Sequence, residues 1–205
     1  NALSGSLYPG LALLTLTLTA MKRIAFAAAM LIICTLAGAA ASPQDSITRK
    51  TYHATFTASP PVIDGAIEDE AWQAGEWQGD FTQFEPLNGA LPSQKTEFAV
   101  LFDDNNIYVV IRALDTNPDS IVRRISRRDN GDGDFVGIGF DSYNDKQTAF
   151  AFTTNAAGVK NDFIWSRDGQ VEDDTWDPIW CTASKVYDWG WAAEMRIPLT
   201  QLRFR

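Results

Sequence analysis

Residues 96–113 read Thr96-Glu97-Phe98-Ala99-Val100-Leu101-Phe102, Asp103-Asp104-Asn105-Asn106, Ile107-Tyr108-Val109-Val110-Ile111-Arg112-Ala113. In the first run Phe98, Val100 and Phe102 share a face; in the second Ile107, Val109 and Ile111 do. Apolar residues at every second position mark a half-buried strand. Two such runs around a four-residue polar turn predict a β-hairpin. The same grammar extends in both directions. Phe135 to Asp141 reads as a strand, Ser142 to Lys146 as a turn, and Thr148 to Thr154 as the returning strand. Asn155-Ala156-Ala157-Gly158 turns again towards Val159 to Trp165, and Trp180 to Tyr187 and Trp191 to Ile197 flank Asp188-Trp189-Gly190 as a further hairpin. Tyr52 to Phe56 reads as a weak first strand. The exception is Ala66 to Gly75, where Glu68, Asp69 and Glu70 precede Ala71 and Trp72. Acidic residues suit a helix N-terminus, so this stretch is expected to be a short helix ended by Gly75. Many short strands with little helix argue for an all-β fold, an antiparallel β-sandwich. Several runs are apolar on both faces, as central strands covered on each side would be.

Composition narrows the chemistry. The 205 residues allow one domain of ordinary size plus extras, and 45% apolar with 12% aromatic residues argue for a folded body. His53 is the single histidine, which excludes a multi-histidine metal site. Two cysteines exclude a disulfide scaffold and a zinc ribbon. A formal charge of −9 argues against nucleic acid, whose phosphates attract Lys and Arg.

The first part of the chain has a different character. Met21 is followed by Lys22 and Arg23, the apolar run Ile24 to Leu36, and Ala37-Gly38-Ala39-Ala40-Ala41-Ser42. A basic start, a short apolar stretch and an Ala-x-Ala site form a secretory signal peptide, residues 21–41, cleaved after Ala41. Residues 1–20 then read as upstream sequence without a structural role. Leu11 to Leu36 is long enough to span a bilayer, but Lys22 and Arg23 interrupt it. A lipoprotein site at Cys34 is disfavoured by Ile33 before it. Export implies a protein outside the cytoplasm. The exported part keeps 15 basic and 26 acidic side chains, a charge of −11 that suits neutral ligands or divalent cations. Residues 42–58 read as a linker with the first strand, and 59–205 as the sandwich. The last strand-like segment runs into Pro198 and Leu199 to Arg205 with no polar tail, so the sandwich is expected to be incomplete at this end.

Ile63-Asp64-Gly65 with Glu68-Asp69-Glu70-Ala71-Trp72, the hairpin Val100 to Val109, Asp134-Phe135-Val136 running to Phe140-Asp141, Phe152-Thr153-Thr154-Asn155 with Gly158, and Gly190-Trp191, Glu194, Ile197-Pro198 and Leu202 occur in order over residues 60–204. This ordered set resembles the family 9 carbohydrate-binding modules. Arg127-Arg128-Asp129, Asp141 to Asp145 and Trp176-Asp177-Pro178-Ile179-Trp180 further resemble modules at the front of large secreted bacterial proteins with a downstream outer-membrane barrel-like region, often described as hydrolases. The resemblance implies a sandwich that binds an oligo- or polysaccharide, sometimes with structural calcium. It implies a periplasmic, outer-membrane-associated or extracellular placement in a Gram-negative bacterium. It also implies sugar-contacting positions. A Trp of the family falls in Asn130-Gly131-Asp132-Gly133, a Glu near Gly137 and an Arg near Thr153.

Sugar binding usually needs aromatic faces for the apolar side of a pyranose, with polar groups around them. Trp165 and Trp176 bracket the polar loop Ser166 to Thr175 and are the candidate exposed pair; Trp180, Trp189 and Trp191 also lie near, with Trp191 at the start of a strand. Asp129, Asp132 and Asp134 on a Gly-rich loop, joined by Asp141, are the candidate Ca²⁺ ligands, since calcium takes six to eight oxygens. The run departs from an EF-hand at Gly131 and Phe140. Asp168, Glu172, Asp173, Asp174 and Asp177 supply carboxylates, but no pair stands out as a glycosidase acid and base. Arg123-Arg124 and Arg127-Arg128 are expected to bridge to the surrounding acids. Three readings stay open: a non-catalytic glycan-binding module, a structural domain beside a barrel, and the front of a glycosidase-like enzyme with catalysis downstream.

Overall fold

The computed structural model describes residues 50–167 and 169–204. The expected signal segment, Cys34 and Asp168 lie outside the described residues. The strands are β1 (Thr55–Phe56), β2 (Thr96–Phe102), β3 (Asn106–Leu114), β4 (Phe135–Phe140), β5 (Ala149–Asn155), β6 (Lys160–Ser166), β7 (Val171–Asp173), β8 (Cys181–Tyr187) and β9 (Gly190–Pro198). Among the described residues, one helix, α1 (Glu70–Gln73), and short 3₁₀ turns at Pro118–Ser120 and Leu199–Gln201 join them.

The hairpin of residues 96–113 forms in the expected register. Phe98 faces Ile111, Val100 faces Val109 and Phe102 faces Ile107. Its turn is built by Asp103. One carboxylate oxygen accepts the N–H of Asn105 and of Asn106, each at 2.7 Å, and the other accepts the Tyr108 hydroxyl at 2.7 Å. Burial, with the Asp103 carboxylate beside it, pushes the Tyr108 hydroxyl up to about 12. Around the hairpin grows a five-stranded sheet of order β1-β2-β3-β9-β8, and the second sheet is β4-β5-β6-β7. Pairings are antiparallel except β1 with β2. Val100, Val109, Ile111, Met195 and Ile197 from one sheet share a core with Phe150 and Phe152 from the other. The described body, from Tyr52 onward, is therefore a β-sandwich.

The other face of the five-stranded sheet is covered as well. Ala99, Leu101, Tyr108 and Val110 pack against Trp72, Ile63, Ile67 and Trp77 of the segment before β2. This explains why β2 and β3 read as apolar on both faces. Glu194 of β9 lies on the covered face, wholly buried. Its carboxylate accepts the Trp72 indole N–H at 2.7 Å, the Gly65 N–H at 2.7 Å and the Asp64 N–H at 3.1 Å. Burial pushes its carboxyl above the usual range, against the pull of these three donors. A buried polar group needs such partners, and these bonds fasten the covering segment to the sheet.

Three elements differ from expectation. The helix spans only Glu70–Gln73; at its N-cap the Asp69 carboxylate bonds the Val62 N–H at 2.8 Å rather than a helix N–H. β1 is two residues long; the Tyr52 phenol takes the Val100 N–H at 2.8 Å, for which a longer β1 would compete. β7 lies inside the stretch read as a polar loop. Val171, Glu172 and Asp173 carry no alternating pattern, and pairing with Ser166, Trp165 and Ile164 makes them a strand.

Gly190 opens β9 at φ +140°, and a Cβ there would stand 2.2 Å from the Ala113 carbonyl oxygen. Gly190→Ala is expected to cost about 2 kcal/mol. Thermal denaturation followed by circular dichroism should show a fall of about 6 °C for a domain of this size.

Candidate functional site

In β5, Phe150 and Phe152 point into the core, so alternation sends Ala149, Ala151 and Thr153 to the outer face of the four-stranded sheet. Directly opposed residues share a face. Trp165 opposes Ala149, Phe163 opposes Ala151, Asn161 opposes Thr153, and Gly139 and Gly137 complete the rows on β4. The outer face thus has a floor of small residues beside two aromatic rings. Phe163 and Trp165 meet edge to face with centroids 4.9 Å apart. The Trp165 indole is 39% exposed, and its N–H donates to Glu172 at 3.2 Å.

Next to Trp165 lies an open cleft of about 280 Å³, with Ala149 on its floor and Asp141, Lys146, Gln147 and Thr148 around it. The β4–β5 turn that carries these polar groups is fixed from within. Asp141 accepts the N–H of Asp145 and of Lys146 at 3.1 and 2.8 Å. Asp145 accepts the N–H of Gln147 at 2.8 Å and of Thr148 at 2.7 Å, and the Thr148 hydroxyl at 3.0 Å. An indole face beside an amide, an ammonium and a hydroxyl suits a ligand with one apolar side and a rim of hydroxyls.

Trp176 is placed elsewhere. It meets Phe150 and Phe152 edge-on at 5.1 and 5.3 Å and packs against the core. The two candidate indoles therefore lie on opposite sides of β5, and Trp176 is half-buried. Trp180 and Trp191 are buried, and Trp189 stacks on Tyr187 at 4.7 Å. The sequence reading missed Lys146, Gln147 and Thr148. They look like ordinary turn residues until the strand pairing sets Ala149 beside Trp165. Gly137 and Thr153 are cross-strand partners on this same outer face, and a Cβ on Gly137 would stand 2.5 Å from the Thr153 methyl.

The four candidate calcium ligands do not converge. Asp132 pairs with Arg124, Asp134 accepts the Val122 N–H at 2.7 Å, Asp129 accepts the Asp162 N–H at 3.0 Å, and Asp141 holds its own turn. Among the described residues no group of three or more acidic, His or Cys side chains is arranged to hold a metal. The residues present do not fit a shared calcium ion. The acidic loop is likewise engaged: Glu172 with Trp165, Asp173 with Thr175, and Asp177 with Arg128. The expected bridging of arginines to acids is present, as Arg124 with Asp132 and Arg128 with Asp162.

Residues 63–204 match the family described as Carbohydrate family 9 binding domain-like. The chain belongs to this family. Its fold is shared with a family 9 carbohydrate-binding module from Caldicellulosiruptor kristjanssonii in complex with glucose, at a TM-score of 0.52 and 20% identity, covering 77% of this chain and 72% of that one. A family 9 module from the same organism in complex with cellotriose gives a TM-score of 0.52 at 21% identity, covering 73% of this chain and 68% of that one. No curated protein matches the chain. At these identities the structural likeness of the family 9 domain is one of fold.

Proposed function

We propose that this family 9 domain binds carbohydrate on the outer face of the four-stranded sheet, with Trp165 as the stacking surface. The observation that carries this reading is the half-exposed indole beside the polar β4–β5 turn. The pyranose C–H face lies on the ring, and Gln147, Lys146 and Thr148 meet its hydroxyls. The acidic charge of the chain favours a neutral saccharide over an anionic one. In this reading the module is non-catalytic and exported, residues 21–41 being the signal, and it holds a glycan for an activity elsewhere in a larger protein. The sugar-bound relatives support the ligand class.

The test is a glycan array carrying neutral and uronate-containing oligosaccharides, followed by calorimetric titration of each hit. Binding to neutral glycans that quenches tryptophan fluorescence is expected. A blank array, or hits restricted to anionic glycans, would refute the proposal.

A further inference from the structure

Arg128 stands in the region where the sequence reading looks for a metal. Its guanidinium is closed in by oxygens from separate parts of the chain. Nε and Nη2 donate to Asp162 Oδ1 at 3.1 and 2.7 Å, and Nη2 reaches Asp162 Oδ2 at 2.7 Å. Nη2 also donates to the Pro178 carbonyl at 2.7 Å, Nη1 pairs with Asp177, and Nε lies 3.6 Å from Asp129 Oδ2. Asp162 is wholly buried and takes a further bond from the Trp180 indole N–H at 2.9 Å. Asp129, in a left-handed conformation at φ 58°, is tied to β6 on both sides: its carboxylate accepts the Asp162 N–H, and its own N–H donates to the Lys160 carbonyl at 3.0 Å.

Three carboxylates and a carbonyl around one positive centre are the kind of donor set a hard divalent cation takes. Here the centre is a side chain. A guanidinium has five donors in a fixed fork and keeps its charge at every physiological pH. We propose that Arg128 is a built-in cation that does the work of a structural calcium ion, tying the 127–134 loop, β6 and residues 177–180 together. Being covalently attached, this charge does not vary with the calcium concentration outside the cell. A metal approaching the same oxygens meets a fixed positive charge, so the unaltered protein does not take calcium at this place.

Terbium(III) tests this on the whole chain. It replaces calcium on oxygen ligands and emits when a nearby indole absorbs, and Trp180 is bonded to Asp162. The unaltered protein is expected to give no calcium-displaceable terbium emission that Asp162→Asn removes, and to melt at the same temperature in millimolar calcium and in chelator. Arg128→Ser should melt several degrees lower in chelator, recover part of that loss in calcium, and gain terbium emission that Asp162→Asn abolishes. Arg128→Lys, which keeps a positive charge, should stay silent to terbium even if Arg128→Ser fails to fold. Calcium stabilisation of the unaltered protein, site-specific emission from it, emission from Arg128→Lys, or a folded Arg128→Ser that gains no metal response would each overturn the proposal.

Discussion

Glu194→Ala is expected to destabilise this domain more than any other single truncation considered. The side chain is the common acceptor for the Trp72 indole and the backbone N–H groups of Asp64 and Gly65. Removing it leaves these donors facing a buried apolar gap. Unpaired buried donors cost about 1–3 kcal/mol each. The relief of not burying a carboxyl offsets part of this, so a net loss of about 3 kcal/mol is expected. Chemical denaturation should show it as a lower midpoint, and thermal melting as a fall of about 10 °C. An effect below about 1 kcal/mol would mean that the segment before β2 is held by its apolar contacts alone.

The same group gives a pH signature. The folded state holds the Glu194 proton more tightly than the unfolded chain does. Its contribution is therefore fully present below the unfolded value and is lost as pH rises through the folded one. Asp162, whose carboxyl burial also pushes up against its bonds to Trp180 and Arg128, has the same sign. Between the ordinary carboxylate range and neutrality, both groups make stability fall with rising pH. Glu194→Gln, which has no proton to exchange there, should flatten part of that fall. An unchanged slope would remove Glu194 from the explanation.

Trp165→Ala is expected to weaken glycan binding by roughly thirtyfold, about 2 kcal/mol, the loss usual for an aromatic anchor at the centre of a site. The fold should survive, because the ring sits on the outer face and is 39% exposed. Trp176→Ala makes the contrast. Its ring packs against Phe150 and Phe152, so the change should lower stability first, with little effect on the affinity of the protein that remains folded. Isothermal titration beside a thermal melt separates the two. A Trp165→Ala protein that binds undiminished would place the site elsewhere on the domain.

The fold was legible in the sequence because its turns are written in side chains that act locally. Asp103 closes the central hairpin on the next residues, and Asn155 accepts the N–H groups of Ala157 and Val159 while its amide bonds the carbonyls of Arg124 and Asp132. The residues carrying the family resemblance are structural too, through contacts that are distant in sequence. Asp64, Gly65 and Trp72 meet Glu194 across more than a hundred positions. The site was less legible. A tryptophan reads the same whether its strand sends it outward, like Trp165, or its loop folds it back onto the core, like Trp176. The register of β5 with β6 sends Trp165 outward, and contacts with Phe150 and Phe152 hold Trp176 on the core. The aspartates of residues 129–134 looked like metal ligands because sequence shows their number, not the arginines and backbone N–H groups that satisfy them.

The β4–β5 turn bears on how the proposed site would capture its ligand. Asp141 and Asp145 pin its backbone by bonds internal to the turn. If the proposed saccharide binds here, little main-chain freedom should remain to be surrendered, so that more of the contact energy would go into affinity. Association should follow a single fast phase, without the lag of a loop that must first find its shape.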